Sequence, residues 1–294
     1  VTIHKLLWIR HPLDSGLRLA ILGLALSLFL QLAAPLLAAE TSPTKDQERS
    51  EEADPAPQDG MAAQWAQRVL DALGGAQAWA DTRALSFSFA GFRSHWWDRQ
   101  TGDHRFEGTT RPEGREEGQH YVVLHNLHDR KGRVFLDGEL LAGRDAEEWL
   151  DRAYEAWIND TYWLLMPYKL RDPGVNLTYE GLQDFQDKPH ETLLMSFEGV
   201  GLTPGDRYWV YIDPETHLVN GWSYHLESYE TDRPATAWAW GDWQRYGGIL
   251  LASERSQVGS DRQLPMQDIA VYDQLPASVF EDPQAPQLDA GGGR

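Results

Sequence analysis

The sequence predicts a mainly β (α+β) protein: a curved, up-and-down antiparallel sheet, a half-barrel, covered on its concave side by two amphipathic helices. Three observations predict it. Roughly ten short runs of alternating apolar and polar residues are separated by turn chemistry, more than a flat sheet tolerates without curling. Just two stretches, residues 61–73 and 145–157, repeat their apolar residues at helical spacing. Thirteen tryptophans in 294 residues fall mostly on alternating strand faces, so a bent sheet would collect rings on one side. A closed barrel or a two-sheet sandwich with peripheral helices satisfies the same pattern.

Along the chain, Lys5, Arg10 and Arg18 precede an apolar segment from Leu19 to Ala39, the layout of an export signal with cleavage near Ala39. The segment is also about long enough to span a bilayer, so an uncleaved inner-membrane anchor over residues 19–39 is the competing reading. Residues 40–60 are acidic, polar and proline-containing, a composition that cannot offset its own ordering entropy and reads as a disordered linker. The folded domain is expected over residues 61–280, with a glycine-ended disordered tail over 281–294.

Within that domain Trp65, Val69, Leu70 and Leu73 form one helical stripe that Gly74-Gly75 stops. Alternation then predicts strands over 85–97, 104–109, 121–128 and 133–136. Asp145 with Glu148 resembles a capping box and opens the second helix, whose Trp149, Ala153, Ala156 and Trp157 share a side. The stretch Asn159–Tyr179, NDTYWLLMPYKLRDPGVNLTY, reads as a short buried helix or helix end stopped by Pro167 and a DPG turn. Strands follow at 175–180, 192–198, 207–212, 218–227, 235–244, 248–257 and 266–273, joined as hairpins.

Composition limits the function. A formal charge of −19 repels phosphate backbones and anionic membrane surfaces, which excludes nucleic acid as an expected partner. With no cysteine there is no lipid-attachment box, no disulfide framework and no thiol chemistry. The serine-hydrolase elbow, the zinc-protease helix, the P-loop and the dinucleotide glycine pattern are all missing, so no catalytic residue and no cofactor is expected. Asp98, Asp103, Asp160, Asp172 and Asp213 lie at expected turns or helix ends, where aspartate serves the backbone. His120, His125 and His128 are the histidines clustered in sequence, but 125 and 128 would point to opposite faces of a strand, so no metal site is expected.

The ring-bearing strands remain. Trp222 and Tyr224 share a face, as do Trp238 and Trp240, while both faces of the run around Trp209 and Tyr211 are apolar or aromatic. With Tyr162, Trp163 and Met166 from the helical segment these are the candidate ligand-binding residues: taken singly a ring can be plain core, but as a set they predict a concave, aromatic-lined groove for an acyl chain. Lys169 and Arg171, in the adjoining turn, are the candidates for holding an anionic head group.

The segment ND.YWL..P.KL.DPGV.L.Y, together with Leu73-Gly74-Gly75 and Trp79, Trp97-Asp98 with Thr101-Gly102-Asp103, and Tyr211-Ile212-Asp213 with Thr216, resembles a family of secreted bacterial proteins, mostly of unassigned function, with the periplasmic lipoprotein-carrier (LolA/LolB-like) fold. The resemblance covers residues 61–275. It implies a monomeric, non-catalytic periplasmic carrier or chaperone that binds a lipid, an acyl chain or a lipoprotein, with residues 157–167 in the helix that plugs or gates the groove. An envelope sensor or scaffold of the same fold, with an envelope protein as partner, ranks second. A carbohydrate-active enzyme or carbohydrate-binding protein, its tryptophans stacking on sugars, ranks third.

Overall fold

The computed structural model describes residues 60–110 and 117–284. The export signal and most of the acidic linker, like the tail beyond residue 284, lie outside the described residues. Among those described, no helix is long and apolar enough to cross a membrane.

The first helix, α1 (Gly60–Ala72), buries Ala62, Trp65, Ala66 and Val69, the stripe that an i, i+3, i+4, i+7 pattern dictates. Gly74, at φ 118°, breaks it. A second short helix that the sequence reading missed follows, α2 (Gly75–Asp81). Its Trp79 stacks on Tyr168 with 4.5 Å between centroids, and the Arg99 guanidinium covers the other side of the indole at 3.6 Å.

Strands β1 (Ala84–Phe89), β2 (Arg93–Asp98), β3 (Asp103–Thr110), β4 (Gln119–Asn126), β5 (Gly132–Leu136) and β6 (Glu139–Leu140) come next. The single run expected over 85–97 is a hairpin, turned at Ala90 and Gly91, both with positive φ. Helix α3 (Gly143–Leu165) joins the expected second helix and the YWLL segment into one element of 23 residues. The expected capping box is absent: α3 begins at Gly143 with no side-chain cap, and Glu148 instead pairs with Arg144 at 3.1 Å. Pro167 does end the helix, in a 3-10 turn over Met166–Tyr168.

Beyond it lie β7 (Val175–Phe185), β8 (Lys188–Phe197), β9 (Arg207–Ile212), β10 (Val219–His225), β11 (Thr236–Tyr246), β12 (Ile249–Gln257) and β13 (Met266–Tyr272), then a short helix α4 (Ser278–Glu281). The strands are ordered β13-β1-β2-β3-β4-β5-β6 in one sheet and β12-β11-β10-β9-β8-β7 in the other, all antiparallel. The two sheets meet where β12 hands over to β13, through a Ser256–Gln263 bridge and a hydrogen bond from Leu264 N to Arg255 O of 2.8 Å. Every strand therefore lies beside its sequence neighbour except at the β1–β13 pairing and at one open break, between β6 and β7. Helix α3 is the connection across that break, and it runs inside the curve. This is the open half-barrel expected from the strand pattern.

The buried face of α3 determines why it lies there. Ala153 and Ala156 pack on Phe106, Tyr121, Val123 and Val134 of the first sheet, with Trp149 and Leu150 at the margin. Two alanines let the helix approach closely. One and two turns later the same face presents Asp160, Thr161, Trp163 and Leu164, all buried.

Candidate functional site

The half of α3 over the second sheet meets a wall of rings. Trp222 is register partner of Trp238, and Tyr224 and Trp240 stand one row away on the same face. Trp163 enters from the helix and packs edge-on against Trp222 at 4.8 Å and Trp238 at 5.2 Å. Tyr162 lies over Trp222 at 6.1 Å, and its hydroxyl donates to Met195 Sδ at 3.3 Å. Trp240 closes the row, 5.2 Å from Trp222. Trp222 is 1% exposed, Tyr224 and Trp238 2% and Trp240 4%. Tyr162, Trp163, Trp222, Tyr224, Trp238 and Trp240 are thus brought together, and the helix rings of Tyr162 and Trp163 pack directly on the rings of the sheet. Met166 is fully buried in the turn that ends α3.

Two candidates stand elsewhere. Trp209 and Tyr211 alternate with Tyr208 and Val210 and project from the outer face of β9, so they do not line the hollow. Trp209 Nε1 donates to Glu180 at 3.1 Å, and Tyr211 bonds Ser223 at 2.9 Å. A bulge between Tyr179 and Gly181 moves the end of β7 onto this outer face, where Phe185 stacks on Tyr211 at 4.3 Å. Gly221 permits it, because a Cβ there would collide with the Phe185 ring. Of the head-group candidates, Lys169 is bound to Asp172 at 2.7 Å, and Arg171 donates to Gln67 of α1 at the surface.

The charged group that does sit among the rings is Arg255, register partner of Trp240 on β12. It is 1% exposed, and its guanidinium carbon lies 3.6 Å from the Trp240 centroid. Its Nε and Nη2 donate to the Trp163 carbonyl at 3.1 and 2.7 Å, and its Nη1 to Ala252 O and Glu254 O at 3.1 and 2.8 Å. Among the described residues no carboxylate pairs with it. Burial pulls its pKa well below the ordinary value, but a guanidinium keeps its proton at any physiological pH. Nothing in sequence distinguished Arg255 from other arginines; only its register opposite Trp240 does.

Over the first sheet the same helix meets a polar chain that the sequence reading missed. Asp160, expected at a helix end, is fully buried in the C-terminal part of α3, where Arg93 Nε and Nη2 donate to its carboxylate at 2.6 and 2.5 Å. His95 Nε2 lies 2.9 Å from Asp160 Oδ2, His95 Nδ1 3.0 Å from His104 Nε2, and His104 Nδ1 2.7 Å from His125 Nε2. If each ring carries its proton on Nε2, every contact is a donor–acceptor pair and the three imidazoles are uncharged. His125 Nδ1, at the far end, is buried without a partner among the described residues.

The electrostatics agree with that assignment. Burial would raise the Asp160 carboxyl, but the Arg93 guanidinium and His95 hold it below the usual carboxylate range. Burial lowers all three histidines, against the pull of Asp160 at His95 and reinforced by the neighbouring rings at His104; His125 falls to about 4. The nitrogens lie in bridging pairs rather than converging on one point, and among the described residues no His, Cys, Asp or Glu group is arranged to hold a metal. The grouping of His120, His125 and His128 is corrected: His120 and His128 are exposed, and His125 belongs with His95 and His104. The signal lay in strand register, since His104 is partner of both Trp97 and His125. Of the other flagged aspartates, Asp98 and Asp213 serve turns, accepting from Gln100 N and Thr101 N and from Glu215 N and Thr216 N, whereas Asp103 accepts from the Thr101 and Asn126 side chains and Asp172 from Lys169.

No family model matches the chain, and no curated protein matches it. Among solved structures it is similar to a LolA superfamily protein from Nitrosomonas europaea, at 10% identity over 74% of this chain and 96% of that one, with a TM-score of 0.39. A DUF1329 family protein from Desulfovibrio piger aligns at 9% identity over 76% of this chain and 96% of the other, TM-score 0.38. An outer membrane lipoprotein-sorting protein domain from Vibrio parahaemolyticus aligns at 8% identity over 74% and 98%, TM-score 0.31. The likeness is one of architecture and assigns no ligand.

Proposed function

We propose that the chain is a non-catalytic binding protein of the bacterial periplasm that carries or shelters an acyl-bearing molecule, a lipid or an acylated protein, against the ring wall of β10 and β11. The C-terminal half of α3 occupies that wall in the resting state and is displaced by the ligand. The observation that supports this reading is the polarity hidden in the wall. The indole N–H groups of Trp222, Trp240 and Trp243 are buried and have no acceptor among the described residues. Each buried donor left unpaired costs about 1–3 kcal/mol. Acceptors delivered by a ligand, such as ester or carboxyl oxygens, would satisfy donors that the helix leaves bare.

The test is native mass spectrometry of the protein purified from a bacterial envelope, paired with uptake of a fluorescent fatty acid. Bound acyl species and saturable uptake are expected. Protein that is repeatedly empty and takes up no probe contradicts the reading. The carbohydrate alternative loses its distinguishing feature, because Trp222, Trp238 and Trp240 are closed over and the charged neighbour of Trp240 is an arginine rather than a carboxylate pair.

A further inference from the structure

Arg255 is a buried cation in a chain with 45 acidic residues against 26 basic, so carboxylates to pair with it were plentiful. None among the described residues does. Arg93 of the other sheet shows the usual solution, a bidentate carboxylate on the Nε–Nη2 edge. On Arg255 that same edge is spent on a single neutral oxygen, the Trp163 carbonyl. Two parallel donors 2.7 and 3.1 Å from one carbonyl are the half-used form of a fork built for two oxygens and one negative charge. The Trp163 carbonyl belongs to the part of α3 that fills the ring wall, so moving that turn of helix frees the edge at the moment the wall opens.

We propose that the Nε–Nη2 edge of Arg255, with the bare indole N–H of Trp240 stacked beside it, is the binding site for the monoanionic head of the ligand, a fatty-acid carboxylate. This rests on the acyl-binding reading above and sharpens it. Lys169 and Arg171 stand in the turn after α3, bonded to Asp172 and to Gln67 of α1. One cation answers one charge, which favours a monoanion over a phosphate monoester. The carboxylate also replaces the Trp163 carbonyl as acceptor, so ligand head and helix compete for the same two hydrogens.

The experiment compares equilibrium binding of palmitate and of hexadecanol, its neutral counterpart of equal chain length, to the full chain at pH 8. Charge-assisted pairing predicts at least about a tenfold preference for palmitate in the wild type. Arg255→Met is expected to lose that preference while still binding hexadecanol, and Arg255→Lys to keep part of it. Equal affinity for the two ligands in the wild type overturns the proposal and leaves acyl binding standing, whether or not the variants fold. Failure of both ligands to bind overturns the acyl reading itself. Lysophosphatidylglycerol bound more tightly than palmitate would overturn the carboxylate and place a phosphodiester at Arg255.

Discussion

Asp160 and Trp222 show what a single position in this chain does and how much of it a sequence reveals. Asp160 sits in N-D-T, a tripeptide that reads as helix-end chemistry, yet it is the one carboxylate that ties α3 to β2 through Arg93 and His95. Asp160→Asn should therefore cost about 3 kcal/mol in chemical denaturation, because it leaves the Arg93 guanidinium buried without its charge partner; a change under about 0.5 kcal/mol, typical of surface sites, would contradict the arrangement. The tryptophans divide in the same way. Period-2 alternation placed Trp222, Trp238 and Trp240 on ring-rich faces, but it could not say which face of β9 was inner, since both are apolar. Trp222→Ala should cost about 3–5 kcal/mol and Trp209→Ala under about 1 kcal/mol, and equal losses would show that the two indoles share one environment.

At the scale of the element, α3 is held by unlike contacts in succession, alanines on the first sheet at its middle, then the polar chain at Asp160, then rings at its end. The helix was legible in two pieces, as a stripe of Trp149, Ala153 and Ala156 and as an apolar run before Pro167. Its continuity was not, because Asn159-Asp160-Thr161 interrupts the apolar pattern: Asn159 and Thr161 bond within the helix itself, whereas Asp160 is satisfied by Arg93 and His95 of β2. Those partners are set by register between strands, which no local spacing encodes. The polar chain also makes α3 sensitive to acid. His95, His104 and His125 bind protons more weakly folded than unfolded, so the unfolded chain takes up protons first as pH falls. Stability should be full above about pH 6.5 and decline toward pH 4, where His125 itself titrates. Arg93 and Arg130 oppose the added charge and Asp160 favours it. Denaturation midpoints measured from pH 7 to pH 4 should fall steeply in the wild type and less in His104→Gln, whereas parallel profiles would show that the chain does not control acid stability.

Across the whole molecule the strand count, the turn spacing and the two helical stripes were enough to foresee an open curved sheet with helices inside it. Among the described residues thirteen strands form two sheets that meet at β12 and β13 and stay open between β6 and β7, where α3 crosses. What local patterns could not show was how full the inside would be, because ring occupancy depends on how far α3 sinks between the sheets, and Ala153 and Ala156 let it sink deeply. Under the proposed function, binding is an exchange of helix for ligand. Amide hydrogen exchange of residues 157–165, with and without saturating palmitate, tests that exchange most directly. The account predicts that the ligand binds and that these amides lose protection while β10 and β11 keep theirs; bound ligand with residues 157–165 as protected as before would contradict it.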